Sequence, residues 1–224
     1  MDRLAEIPDP LQGRVAAPVR RGVTLAEVSP ARSAVRGRRW AALGASLAWV
    51  AVNIGGYGLR PDIDTLPFSY LIVQVLAPYA LAVVALSGAL HPGRFGLGAD
   101  RRVLVGLTLA GPVLFALLAF WGSEFYPEAL RDGALAGSLP CLETTMFWAV
   151  VPLGLAALTL RRAFASGAGW RAALVGGSCG LLAGGTINLH CPNADVLHIV
   201  VGHELPMVVT SVVGAMVMAR WTRA

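Results

Sequence analysis

The sequence predicts an all-α, polytopic membrane bundle of six transmembrane helices with both termini in the cytoplasm. Three observations carry this expectation. Of the 224 residues, 56% are hydrophobic and only 14% charged, against about 25% charged in an ordinary soluble domain. The missing charge is absent from long blocks and crowded into the stretches between them, as a bilayer requires. All 18 positive charges are arginine, and they favour every second connection.

A span needs about 20 mostly apolar residues, because a helix rises about 1.5 Å per residue through hydrocarbon roughly 30 Å thick. Six blocks qualify: Trp40–Gly58, Pro67–Leu90, Val103–Trp121, Leu142–Leu160, Ala172–Leu189 and Ile199–Ala219. Together, residues 40–221 form the membrane domain. Pro78, Pro112, Pro152 and Pro206 fall in or near these blocks, where neighbouring helices can satisfy the freed backbone groups. No cleaved secretory leader is expected, since the first apolar block begins only near Trp40 and a leader places its own at about residue 10 to 20.

Orientation follows from the arginines. Arg3, Arg14, Arg20, Arg21, Arg32, Arg36, Arg38 and Arg39 precede the first span. Arg94, Arg101 and Arg102 fill the second connection, Arg161, Arg162 and Arg171 the fourth, and Arg220 and Arg223 the end. The opposite side has only Arg60 and Arg131, with Asp62, Asp64, Glu124, Glu128, Asp132 and Asp195. The arginine-rich side is therefore read as cytoplasmic, and the absence of lysine together with many alanines, glycines and valines points to a GC-rich bacterial genome.

No span carries a charge near its middle, unlike most transport pathways. Asn53 and Gln74 are read as interhelical hydrogen-bond partners, and Gly176, Gly180 and Gly184 as a stripe for close helix packing. Nucleophile elbow, phosphate loop and dinucleotide fingerprint are all absent. An enzyme is not expected, nor a cofactor, and the basic charge is explained by topology rather than by nucleic acid.

Two features could carry chemistry. At the outer face, His190 and Cys191 end the fifth span, His198 approaches the sixth and His203–Glu204 lie one turn inside it. Cys141 and Glu143 open the fourth span at the same level. The short connection between spans four and five makes them antiparallel neighbours, which brings Cys141 near Cys191. Cys179, roughly 18 Å deeper along a helix, stands apart. Three readings remain open: a redox pair of Cys141 and Cys191, a zinc or copper site from Cys141, His190, Cys191 and His203, or local structure alone. The second feature is the Arg- and Pro-rich tail, residues 1–39. Its apolar Leu4, Ile7, Leu11, Val15 and Val19 recur at helical spacing, interrupted by Pro8, Pro10 and Pro18. It reads either as a segment that folds on a cytoplasmic partner or as a basic tether at anionic lipid.

From Cys141 to Trp221 the chain resembles the NrsF-type family of bacterial membrane anti-sigma factors. The resemblance lies in Leu139-Pro140-Cys141, Leu160-Arg161-Arg162, a Gly/Ala-rich fifth span ending Leu189-His190-Cys191-Pro192, Gly202-His203 and Ala219-Arg220-Trp221. Ala17-Pro18-Val19-Arg20-Arg21 resembles a short motif ahead of the first span. The size and layout are also similar to the CarR-type anti-sigma factors of light-induced carotenoid synthesis in myxobacteria. The resemblance implies a repressor that holds an extracytoplasmic-function sigma factor at the membrane until a stress or light signal arrives, with Cys141 and Cys191 as the sensing residues. Leu4, Ile7, Leu11, Val15, Val19, Arg20 and Arg21 would then contact the sigma factor. The longer tail, Glu143 and Glu204 depart from the family pattern. A small transporter or metal-binding membrane protein using the His/Cys cluster is the alternative, and a structural subunit of a larger membrane complex a third.

Overall fold

The computed structural model describes residues 31–90, 100–124, 134–161 and 167–222, and among these all regular structure is helical. Met1–Arg36 and Gly37–Ala224 cluster as two compact units, and the helix packing belongs to the second. The proposed partner-binding residues Leu4, Ile7, Leu11, Val15, Val19, Arg20 and Arg21 lie outside the described residues.

Six helical rods follow the six apolar blocks. They are α1 (Ala31–Tyr57), α2 (Phe68–Leu90), α3 (Arg101–Ser123), α4 (Ala134–Thr159), α5 (Ala168–Ile187) and α6, residues 196–222. Among the described residues, four segments are long and apolar enough to cross a membrane: Phe68–Leu90, Arg101–Gly122, Gly137–Thr159 and Val196–Trp221. Their outward faces carry Val83, Leu109, Leu117, Phe120, Val150, Leu158 and Met216, all exposed. In a soluble protein such apolar walls would be covered.

α5 differs in kind. It packs against α2, α3, α4 and α6, and nearly every residue from Ala168 to Ile187 is buried. A helix enclosed by other helices needs small contacts rather than lipid-facing bulk. Its glycines supply them. A Cβ on Gly176 would lie 2.0 Å from the Thr210 carbonyl oxygen of α6, and one on Gly180 2.4 Å from the Met207 Cα. The contact is mutual, because a Cβ on Gly214 of α6 would lie 2.2 Å from the Ala172 carbonyl oxygen.

α6 is not a uniform helix. α-Helical segments Val196–Ile199, Leu205–Val213 and Ala219–Thr222 alternate with π-helical turns Val200–Glu204 and Gly214–Met218. The first π-turn has a local cause in Pro206, the second residue of the next α-segment. Proline has no N–H to give the carbonyl four residues back, and its ring collides with that carbonyl in α-geometry. Widening the preceding turn relieves both, and the Leu205 N–H bonds to the Val200 carbonyl, five residues back.

Several polar residues take places that composition did not foretell. Gln74 does bridge helices, its Nε2 donating to the Leu118 carbonyl of α3 at 2.9 Å. Asn53 instead donates to the Trp49 carbonyl of its own helix at 2.7 Å, because an amide one turn along reaches that carbonyl without any neighbour. Arg171, expected in a connection, is buried in the first turns of α5. Cys141 does not open α4: the helix starts at Ala134, and Pro140 lies inside it.

Candidate functional site

The site lies where α5 ends, α6 begins and the first turns of α4 pass alongside. α5 stops at Ile187, and the chain then tightens so that the Cys191 N–H still reaches the Ile187 carbonyl at 2.9 Å. Pro192 follows and cannot continue a helix. Asn193 and Asp195 organise the restart. The Asn193 side-chain oxygen accepts from the Asp195 N–H at 2.8 Å, and Asp195 Oδ1 accepts from the N–H groups of Leu197 and His198 at 2.9 and 3.2 Å. Asp195 is thus the N-cap of α6.

The loop between α1 and α2 is fastened onto this turn by Arg60, a buried residue read from sequence only as an outer-side charge. Its Nε and Nη2 donate to the two carboxylate oxygens of Asp62 at 2.7 and 2.9 Å. Nη2 also reaches the Pro192 carbonyl at 3.0 Å, Nη1 the Asn188 carbonyl at 3.4 Å, and the Arg60 N–H the Leu189 carbonyl at 2.8 Å. One guanidinium therefore satisfies carbonyls that the end of α5 leaves without helical partners.

Around this turn four side chains converge. Cys141 Sγ donates to Cys191 Sγ at 3.5 Å, and His198 Nε2 lies 3.1 Å from Cys191 Sγ. The His198 and His203 rings meet edge to face with centroids 5.3 Å apart. One ligand-type atom from each of Cys141, Cys191, His198 and His203 lies within 4.8 Å of all the others. Both histidines are almost wholly buried, His198 at 2% and His203 at 1% exposure. Gly202 makes room for the group, since a Cβ there would sit 3.1 Å from the Cys141 Cβ.

The structure thus brings three of the four sequence-picked residues together and places the fourth elsewhere. His190 turns away. Its Nδ1 bonds the carbonyl of Gly58, the positive-φ residue that ends α1, and its ring packs edge-on against Trp148 at 4.9 Å. Burial holds the His190 imidazole below the ordinary histidine range, only partly opposed by the bond to Gly58. Sequence reasoning places His198 at the outer face but leaves it out of the four-residue ligand set. That histidine stands five residues before His203, about 140° away around an ideal α-helix. The π-turn at Val200–Glu204 brings the two to one side. Pro206 is the sequence signal for that turn.

Asn188, also unmarked in the sequence, orients the group. Its Nδ2 donates to the Gln74 backbone carbonyl at 2.8 Å, which fixes Oδ1 on the other side as the acceptor. That oxygen meets His203 Nδ1 at 2.7 Å, so Nδ1 carries the proton. His203 Nε2 is consequently an unprotonated nitrogen, buried and without a hydrogen-bond partner. The Cys191 thiol is held far below the ordinary thiol range, first by the hydrogen bond from Cys141 and then by the adjoining His198, against the opposing effect of burial. The pair can react as nucleophilic thiolate and thiol.

Compared with known proteins, the chain matches no curated protein and no solved structure. A family match covers residues 24–223, which includes every described helix from its first apolar turn and all four clustered residues. The chain belongs to the NrsF family, described as negative regulator of sigma F.

Proposed function

We propose that this protein is an anti-sigma factor of the inner membrane that holds an extracytoplasmic-function sigma factor and releases it when the Cys141/Cys191 pair changes state. The observation that carries the reading is the family match over residues 24–223. The helical architecture supports it, with four helices apolar enough to span and a fifth, α5, enclosed among them. The arginine distribution supports six spans with both termini in the cytoplasm, the tail and inner connections facing the sigma factor, and the thiol cluster at the periplasmic end.

The coupling we propose is mechanical. Oxidation of the Cys141 and Cys191 thiols to a disulfide, with two electrons and two protons passing to an external oxidant such as a disulfide donor or singlet oxygen, would close their sulfurs from 3.5 Å to about 2.05 Å, drawing the start of α4 toward the α5–α6 turn. α5 and α6 touch backbone to backbone further along, so a shift at one end is carried as a change in helix packing at the other. A signal acts only through its difference in affinity for the two packings, and a few kcal/mol suffices. In a CarR-type setting the signal would be light and the regulated genes those of carotenoid synthesis.

Affinity purification of the full chain from bacterial membranes, with identification of what co-purifies, tests the reading. Recovery of a sigma factor that is lost when residues 1–39 are deleted is expected. Recovery of a transport complex alone would overturn it.

A further inference from the structure

We propose that Cys141, Cys191, His198 and His203 form a tetrahedral S2N2 site for one thiophilic divalent cation of the zinc class. The proposal concerns the thiol pair that the proposed function makes the sensor, but its test requires no sigma factor.

The distances suit the geometry. With zinc–sulfur bonds of about 2.3 Å and zinc–nitrogen bonds of about 2.0 Å, tetrahedral angles put sulfurs ~3.8 Å apart and sulfur and nitrogen ~3.5 Å apart. Here the sulfurs are 3.5 Å apart, and His198 Nε2 is 3.1 Å from Cys191 Sγ. All four ligand-type atoms lie within 4.8 Å of one another.

The second argument is the state of His203. Asn188 Oδ1 accepts a hydrogen bond from the His203 Nδ1–H, and the Gln74 backbone carbonyl in turn fixes the Asn188 amide. The free Nε2 lone pair is left unpartnered in a residue only 1% exposed. Burying an acceptor with nothing to accept costs about 1–3 kcal/mol, and a cation removes that cost. An outer partner that fixes tautomer and ring orientation is the usual companion of a metal-binding histidine. A redox pair uses a histidine beside its reactive thiol, as His198 stands beside Cys191, but it does not require the His203 tautomer that Asn188 fixes.

The third argument is charge. Two thiolates and two neutral imidazoles around a divalent ion make a neutral unit, which suits a buried site. The neighbouring guanidinium of Arg60 is committed to Asp62. Sulfur and imidazole ligands favour zinc-class ions over magnesium or calcium, which require oxygen. Cys141, partly exposed, leaves one ligand of the site accessible from outside.

The test is titration of the reduced full-length chain in detergent micelles with Co2+, followed by Zn2+. One Co2+ per chain is expected, with the ligand-field bands of tetrahedral cobalt and a thiolate charge-transfer band. One equivalent of Zn2+ should displace it, and the thiols should release protons on binding. Cys141→Ser, Cys191→Ser, His198→Ala and His203→Ala should each weaken binding at least tenfold, and Asn188→Leu by about 10- to 100-fold. His190→Ala should leave the cobalt spectrum unchanged. An octahedral spectrum without charge transfer, or tetrahedral binding that survives His198→Ala with His203→Ala, would overturn the site. Should a variant not fold, the native chain decides: Zn2+ should protect Cys141 and Cys191 from alkylation without changing Cys179, and lack of protection refutes the proposal. A chain that binds the ion but captures no sigma factor would overturn the proposed function and leave this site standing.

Discussion

The two halves of the α5–α6 contact are built from opposite materials. Toward the start of α5, Gly176 and Gly180 meet Thr210 and Met207 with no side chain between the backbones. Toward its end, Asn188, Cys191, His198 and His203 add polar and sulfur contacts beside one further close approach, that of Gly184 to the His203 carbonyl. The first half has no slack and fixes where the helices lie. The second half has groups that can change protonation, oxidation or ligation state while the helices stay joined. One pair of helices thus holds both a clamp and the groups of the proposed sensor.

Breaking the clamp should have the largest effect. Gly176→Val places methyl groups beyond a Cβ that already overlaps the Thr210 carbonyl, and neither backbone can give way. We expect a loss of about 3 kcal/mol or more, seen as lost thermal stability in detergent and low abundance in membranes. A normal unfolding midpoint would show that α5 and α6 do not touch in this way.

Cutting the supports of the sensor half should cost less. Asn188→Leu strands the Gln74 carbonyl and the His203 Nδ1–H, for about 2 kcal/mol. Arg60→Ala removes the donors to Asp62, Asn188 and Pro192 and should cost a similar amount. Equal midpoints for both variants and the parent would place these bonds outside the folded core.

Changing the thiols should be gentler still, about 1 kcal/mol or less, but decisive for function. Cys141→Ser and Cys191→Ser should each alter induction of a sigma-dependent reporter while leaving membrane insertion intact. An unchanged response in both removes the sensing role. In the metal-free chain, Cys191 should stay reactive toward a small thiosulfonate at pH 6, because its lowered pKa keeps the thiolate present. A tenfold fall in rate per pH unit below pH 8 would mean an ordinary thiol.

The smallest effect belongs to His190. Burial lowers its pKa in the folded chain, so the unfolded chain takes up the proton first. Stability should therefore fall as pH drops through about 6.5, and His190→Gln should remove that part of the slope. The measurement is thermal stability in detergent between pH 8 and pH 5.

The helices were legible because a bilayer imposes length and hydropathy on sequence, and the apolar block Pro67–Leu90 becomes the helix Phe68–Leu90. Partners were less legible. Arginine counts assign a side of the membrane, yet they cannot show that Arg60 folds inward onto Asp62 or that Arg171 is buried in α5. The thiol pair was legible from the antiparallel order of the helices. The choice between His190 and His198 was not, because it depends on a π-turn, and regular helical spacing assigns His198 to a different face from His203. The tail pattern from Leu4 to Val19 falls outside the described residues.

The π-turn at Val200–Glu204 also bears on how such a protein can vary. It holds one residue more than an α-turn would at nearly the same rise. A helix that kept every residue but lost this turn, as Pro206→Ala would allow, would rotate everything on one side of the stretch by about 100° relative to the other, and His203 would leave the cluster without any cluster residue being replaced. Deleting one residue between His198 and His203 together with Pro206→Ala would instead set the two histidines four residues apart on one face of a regular α-helix and keep them together. The proline and the extra residue are therefore tied to each other: the cluster survives the loss of both, but not the loss of the π-turn alone.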